Sequence, residues 1–191
     1  MNIAVLFARR DSIYKTIPGC DVYDADRDAR SFSGTEPVVA HPPCRGWGSL
    51  RAFAKPRPGE KELAIWAIGV VRRNGGVLEH PRGSSLWSAA RLPRPGEGPD
   101  EYGGWTLQVE QFWWGHRAAK ATWLYICRVS RSAVPPMPLV FGEAPCVVAS
   151  KLRVSDGYLR RPHITKPERE HSPEAFAKWL IELARASTQY S

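Results

Sequence analysis

Pro37-Val38-Val39-Ala40-His41-Pro42-Pro43-Cys44-Arg45-Gly46-Trp47-Gly48 is an apolar run that ends abruptly on two prolines and a thiol. Glu36 to Ala40 has strand character, and Pro-Pro, which lacks N–H groups and fixes φ, blocks both further strand pairing and a helix start. Cys44 therefore falls on a stiff loop at the carboxyl end of a strand. Ligands and reacting groups collect there in an open α/β sheet, which makes Cys44 a candidate nucleophile; the competing role is a small, inert buried residue. Downstream, Glu60 to Asn74 sets Leu63, Trp66, Ala67, Val70 and Val71 at helical spacing, with Arg72 and Arg73 in the last turn and Gly75 just past it. Gly75 to Gly83 then reads as a turn, a short strand and a stop that carries Glu79 and His80. Strand, helix, strand makes two neighbouring parallel strands, so Cys44 and Glu79 are expected to face one crevice. A thiol and a carboxylate there form a nucleophile and acid pair; a lone loop Glu is otherwise a solvated charge or a helix cap.

Working outward, Ile3 to Phe7 is a continuous apolar run suited to a strand buried on both faces, and Asp21 to Asp24 follows the Pro18-Gly19 turn as a second strand. Leu92 to Gly104 is a long loop rich in Pro and Gly, Thr122 to Cys127 a buried strand, and Val134 to Pro138 an extended segment. Ser172-Pro173-Glu174 reads as an N-cap, a proline at the first helical position and an early acid, ahead of a helical face of Phe176, Trp179, Leu180 and Leu183. These elements predict a single α/β domain over 1–191, a three-layer, Rossmann-like architecture with a mainly parallel sheet.

The chain has 27 Lys and Arg against 19 Asp and Glu, and the net charge of +8 suits a polyanionic partner, either nucleic acid or a nucleotide. No helix-turn-helix, zinc-finger or RNA-recognition signature accompanies it. Cys20, Cys44, Cys127 and Cys146 stand too far apart for a zinc cluster, so no metal is expected. No apolar run approaches a membrane span, and the chain reads as cytoplasmic, with reduced thiols.

In sequence order, Pro42-Pro43-Cys44, Glu79-His80-Pro81 and the run from Trp114 to Tyr125 resemble the Pro-Pro-Cys, Glu-Asn-Val and Gln-x-Arg-x-Arg series of the cytosine-C5 DNA methyltransferases. The resemblance is closest to the short, divergent members encoded by phages and prophages. It covers roughly residues 3 to 127 and leaves 128–191 as a basic tail with a C-terminal helix. It implies that the Cys44 thiolate adds to C6 of a pyrimidine, that Glu79 engages the N3 edge as the acid, and that C5 then attacks the methyl of S-adenosylmethionine. Lys120 and Thr122 stand where the family has its two arginines, so one charge is lost, and His116 or Arg117 is available to replace it.

Around that core, Arg45 and Arg82 would supply positive charge that favours a thiolate, with Pro43 shaping the loop. Trp47 and Trp114 fit two roles, stacking on a base or filling the core. His41 and His80 are proton shuttles or strand-end caps; His41 is read here as a cap and His80 is kept with the catalytic candidates. Leu6-Phe7-Ala8 is similar to the start of the family's cofactor loop, with Asp24 or Asp26 placed to hold a ribose. Arg9 to Tyr14, however, replace the glycines that should follow, so S-adenosylmethionine is expected to bind weakly or not at all.

About 45 residues separate Tyr125 from the final helix, too few for a separate DNA-reading module. The first expectation is therefore a pyrimidine-modifying enzyme that acts on DNA or a nucleotide through Cys44 and Glu79. The second is a non-catalytic phage factor that binds nucleic acid or a host protein against host defence. A third is a nucleoside-processing enzyme with Glu79 as its nucleophile.

Overall fold

In the computed structural model, which describes residues 1–49, 51–138, 140–148 and 161–189, Ile3, Ala4, Val5 and Leu6 are all inaccessible to solvent. That is what a strand between two neighbours and covered on both faces requires. These residues form β1 (Ile3–Leu6), parallel to β2 (Cys20–Tyr23) on one side and to β3 (Val38–Ala40) on the other. Helix α1 (Glu60–Asn74) carries the chain from β3 to the parallel β4 (Gly76–Pro81). After the short α2 (Leu86–Ala89) come β5 (Trp105–Glu110), β6 (Ala118–Ala119) and β7 (Ala121–Cys127). Strand β7 is antiparallel to both β4 and β5, which completes a six-stranded, mostly parallel sheet of order β2-β1-β3-β4-β7-β5. A second, two-stranded sheet pairs β6 with β8 (Cys146–Val147), and α3 (Lys166–Glu170) and α4 (Glu174–Arg185) close the chain.

Alternation along the strands sends successive side chains to opposite faces. On one face Ala64, Ala67 and Val71 of α1 meet Leu6, Leu78 and Tyr125; on the other Phe176, Leu180 and Leu183 of α4 meet Val5, Val77 and Ile126. Each fully buried Leu, Val or Phe contributes roughly 1.5–3 kcal/mol. Gly76 is fixed by its place: its φ is +108°, and a Cβ there would strike the Val38 carbonyl of the neighbouring strand.

The β1–β2 and β2–β3 connections carry 3-10 turns, Ile13–Thr16 and Ala29–Ser31. Tyr14, 2% exposed, supplies from the first turn the apolar cover that a helix would otherwise give. One local expectation is corrected: helix α4 begins at Glu174 with Pro173 as its cap and no side-chain cap bond, so Ser172 is not the cap but lies one residue outside. The 149–160 part of the expected basic tail falls outside the described residues.

The chain leaves β1 for β2 on one side and returns as β3 on the other. A crevice at such a reversal opens beyond the carboxyl ends of the two strands, which here means beyond Leu6 and Ala40.

Candidate active site

The His41–Cys44 loop rises from that reversal. His41 N still donates to Leu6 O at 3.0 Å, one step past the last β3 residue, and the two prolines then end the pairing. The Cys44 carbonyl accepts from Trp47 N at 3.0 Å and Gly48 N at 2.8 Å, which folds the chain into a tight turn and leaves Cys44 at the surface. Among the four cysteines only Cys44 is exposed; Cys127 and Cys146 are buried and Cys20 is half-buried.

Glu79 lies inside β4, opposite Leu124, because β7 extends the pairing beyond the point where β3 stops. The sequence places it on a terminal loop, and the longer partner strand corrects that. Its side chain turns to the α4 face, with Oε2 3.1 Å from His41 Nδ1 and Oε1 accepting from Gln111 Nε2 at 3.2 Å. Gln111 Nε2 also donates to Thr122 Oγ1 at 3.1 Å, while Gln111 Oε1 is buried without a partner. His41 Nε2 is 3.0 Å from the Tyr14 hydroxyl. Burial drives the Tyr14 phenol well above its ordinary pKa, so it keeps its proton and donates to Nε2. That assignment leaves Nδ1–H to donate to Glu79. His41 is thus a bridge between Tyr14 and Glu79 and not a cap on a strand carbonyl.

Burial opposes the charge on Glu79. The His41 hydrogen bond, followed by the Lys120 ammonium, leads the interactions that outweigh it and hold the carboxyl at about 2. The free protein therefore presents Glu79 as an ionised acceptor, not as the acid that the resemblance implies. Lys120 sits between β6 and β7 and donates from Nζ to His171 O at 3.1 Å. Burial lowers its pKa, against the pull of Glu79, Cys44 and Glu170. Crowding by protein raises the Cys44 thiol, and Glu79 raises it further, while Lys120 and Arg45 act the other way. The net shift is upward, so the thiol is protonated at neutral pH. Cys44, Glu79 and Lys120 thus feel one another's charge.

Other sequence candidates lie elsewhere. His80 follows Glu79 and so points to the opposite face, fully buried, with Nδ1 2.8 Å from Ser84 Oγ. Burial lowers it to about 4 despite Glu79, which keeps it neutral. Its neighbours Ser84 and Ser85 donate to the Trp47 carbonyl at 3.5 and 3.0 Å, so His80 belongs to the support of the Cys44 loop. Trp47 packs half-buried on the α1 face. Trp114 is core: its ring centroid is 4.9 Å from that of Trp179 and 5.0 Å from that of Phe176. His116 joins the β6 segment to α3, with Nδ1 2.8 Å from Ala118 O and Nε2 3.2 Å from Glu168 O. Arg45, Arg82 and Arg117 are paired with Glu60, Glu110 and Glu168 at 2.8, 3.8 and 2.5 Å. Their charge is largely spent on those carboxylates. Pro43 remains where the loop reading puts it, half-buried beside Cys44.

The residues proposed for a cofactor are engaged as well. Phe7, at φ 63°, packs edge-on against Trp66 with centroids 5.9 Å apart. Asp24 is held by Lys15 at 2.6 Å and by the Asp26 and Arg27 amides, and these bonds, led by Lys15, keep it at about 2. Asp26 pairs with Arg10 at 2.5 Å. The loop after β1 is fastened to the C-terminal segment through Arg9 with Glu170 at 2.5 Å and Asp11 with His171 at 3.4 Å. With neither a glycine run nor a helix after β1, and both acids occupied, these residues do not fit S-adenosylmethionine as the resemblance implies. Among the described residues no cluster of His, Cys, Asp or Glu could hold a metal, and no helix is long and apolar enough to cross a membrane.

No protein-family description matches the chain, and no curated protein matches it.

Tyr14 and Gln111 are the site partners that sequence reading misses, and neither carries a local signal; His41, read from its place before the prolines as a cap, is instead the bridge between Tyr14 and Glu79.

Proposed function

We propose that the chain is a pyrimidine-engaging enzyme related in design to the cytosine-C5 methyltransferases, Rossmann-like in its sheet, with Cys44 as the nucleophile and Glu79 as the group that contacts the ring edge. The observation that carries this reading is that Cys44, just past the end of β3, Glu79, in the adjacent β4, and Lys120, at the start of the antiparallel β7, feel one another's charge beside the sheet's reversal point. In the step assigned here the Cys44 sulfur bonds to C6 of the base, the C5–C6 π pair moves to C5, and C5 takes a proton while the thiol releases one to water. Glu79, charged and fixed by His41 and Gln111, accepts from ring-edge donors. The unpartnered Gln111 Oε1 is a second acceptor beside it. Addition and its reversal are the only steps assigned, because the residues after β1 do not suit the methyl donor.

The protonated thiol and the engaged cofactor residues favour a second reading, a non-catalytic binder of nucleic acid or of a host protein. Fluorine NMR on a 5-fluorocytosine oligonucleotide and on the free nucleotide separates the two, since addition changes the geometry at C5. The enzyme reading expects an adduct resonance with the native protein and none with Cys44→Ser. Absence of an adduct with both substrates, alongside retained binding by Cys44→Ser, overturns it in favour of the binder.

A further inference from the structure

Between Ile164 and Phe176 no residue is buried. The stretch is pinned at both ends: Ile164, 5% exposed, packs with Ala118 and Cys146, and Phe176 enters the core with the rest of α4. In between, α3 keeps its own turn through a capping box, in which Glu168 accepts from the Thr165 amide at 2.9 Å and Thr165 Oγ1 accepts from the Glu168 amide at 3.4 Å.

The ties from this stretch to the rest of the molecule are polar. Glu170 pairs with Arg9 at 2.5 Å and His171 with Asp11 at 3.4 Å, both partners lying in the loop after β1. On the other side Glu168 pairs with Arg117 at 2.5 Å, and its carbonyl lies 3.2 Å from His116 Nε2. The His171 carbonyl accepts from Lys120 Nζ at 3.1 Å, so the stretch also holds the ammonium whose charge reaches Cys44 and Glu79. Underneath, Arg169 Nε is buried without a partner, which counts against docking.

Exposed ion pairs are weak and are screened by salt. A segment held by them, with no apolar residue buried, opens far more readily than the fold as a whole. Helix α4, directly after it, carries most of its residues into the core and stays. A five-residue helix does not persist by itself, so α3 unravels once it leaves its partners.

We infer that residues 165–173 are a charge-latched strap that lifts from the Cys44 site while the sheet and α4 remain folded, and that its lifting frees Lys120 Nζ from the His171 carbonyl. The inference deepens the reading of that site by giving it a gate, and it rests on that reading only for what the gate serves.

The test is amide hydrogen exchange read by peptide mass at fixed pH, paired with acetylation of Lys120 by sulfo-N-hydroxysuccinimide acetate. The Arg169 and His171 amides, which donate to the Thr165 and Pro167 carbonyls, report the strap. In the native protein they are expected to exchange faster than the α4 amides, and about threefold faster again when salt rises from about 20 to about 500 mM. Glu168→Gln with Glu170→Gln removes both Glu–Arg pairs, and Gln at 168 still serves the capping box. This variant is expected to speed strap exchange roughly tenfold and to lose most of the salt response. Glu174→Gln, whose partner is Lys178 within α4, is expected to leave the strap as it is.

Acetylation is read in Glu168→Gln alone, because Glu170 acts on the Lys120 charge directly and Glu168 does not figure among the charges that do. Lys120 is expected to react about threefold faster there than in the native protein. Strap exchange as slow as that of α4, or unchanged in the double variant, overturns the latch. Faster strap exchange with native Lys120 acetylation overturns the gate. Neither readout uses a base or an adduct, so a missing Cys44 adduct sinks the chemistry without touching the strap, and a failed latch leaves the chemistry standing.

Discussion

His41 Nδ1 lies 3.1 Å from Glu79 Oε2, and this contact ties the end of β3 to the flank of β4. Because the other ring nitrogen reaches Tyr14, the bridge also anchors the turn after β1, 3.0 Å away. Three segments distant in sequence are locked around one carboxylate, and that lock keeps Glu79 ionised in a buried place. Tyr14→Phe removes one of the two bonds on His41. It is expected to cost about 1 kcal/mol of stability in urea unfolding, and an unchanged unfolding midpoint would show that the bridge is not formed in solution.

Acid stability should fall in two stages. Unfolded His80 takes a proton below its ordinary 6.5, whereas the folded site, mainly through burial, refuses it until about 4. Its contribution is complete above 6.5 and is lost as pH falls towards 4. Glu79 is held at about 2 against an ordinary 4.5, so its contribution is complete above 4.5 and is lost as pH falls through 2. Each stage is of order 3 kcal/mol. Urea unfolding against pH should show His80→Gln flattening the upper stage and Glu79→Gln the lower. A native-like upper slope in His80→Gln contradicts the placement of His80.

Trp114 packs among Phe176 and Trp179, so Trp114→Ala should cost about 3–5 kcal/mol of stability. Trp114→Phe should cost much less, and neither should alter the salt dependence of nucleic-acid binding. A stable Trp114→Ala protein with impaired binding would return this residue to the base-stacking role.

With Asp24 and Asp26 engaged by Lys15 and Arg10, S-adenosylmethionine is expected to bind no tighter than about 1 mM by calorimetry. Micromolar binding contradicts the account of the β1–β2 connection and strengthens the methyltransferase reading.

The Glu60–Asn74 helix and the adjacency of β3 and β4 are legible in the sequence because their signals are local: a helical apolar period, Gly75 past its end, and prolines after a strand. Cys44 and Glu79 are legible for the same reason, since each is read near the end of a short strand, whereas Lys120 is a candidate only through the family resemblance. The Tyr14–His41–Glu79 bridge is not, because it depends on side-chain directions across three segments. Trp114 is ambiguous on composition alone, as an aromatic serves core and stacking equally well. The pairing of Arg45 with Glu60 or Asp24 with Lys15 is invisible until the partner is found, and the charge count therefore overstates what surrounds the thiol. The burial of Tyr14 from the turn after β1 is likewise announced by no turn signal.

The central claim, that Cys44, Glu79 and Lys120 form one electrostatic site, is tested most directly by the rate at which iodoacetamide alkylates Cys44, read by peptide mass at fixed pH near 8. Glu79 raises the thiol and Lys120 lowers it. Glu79→Gln should therefore speed alkylation and Lys120→Met should slow it, each by roughly three- to tenfold. The native rate should keep rising with pH through 9, the ordinary thiol value, without a plateau. Equal rates in all three proteins, or a plateau below pH 8, would contradict the account.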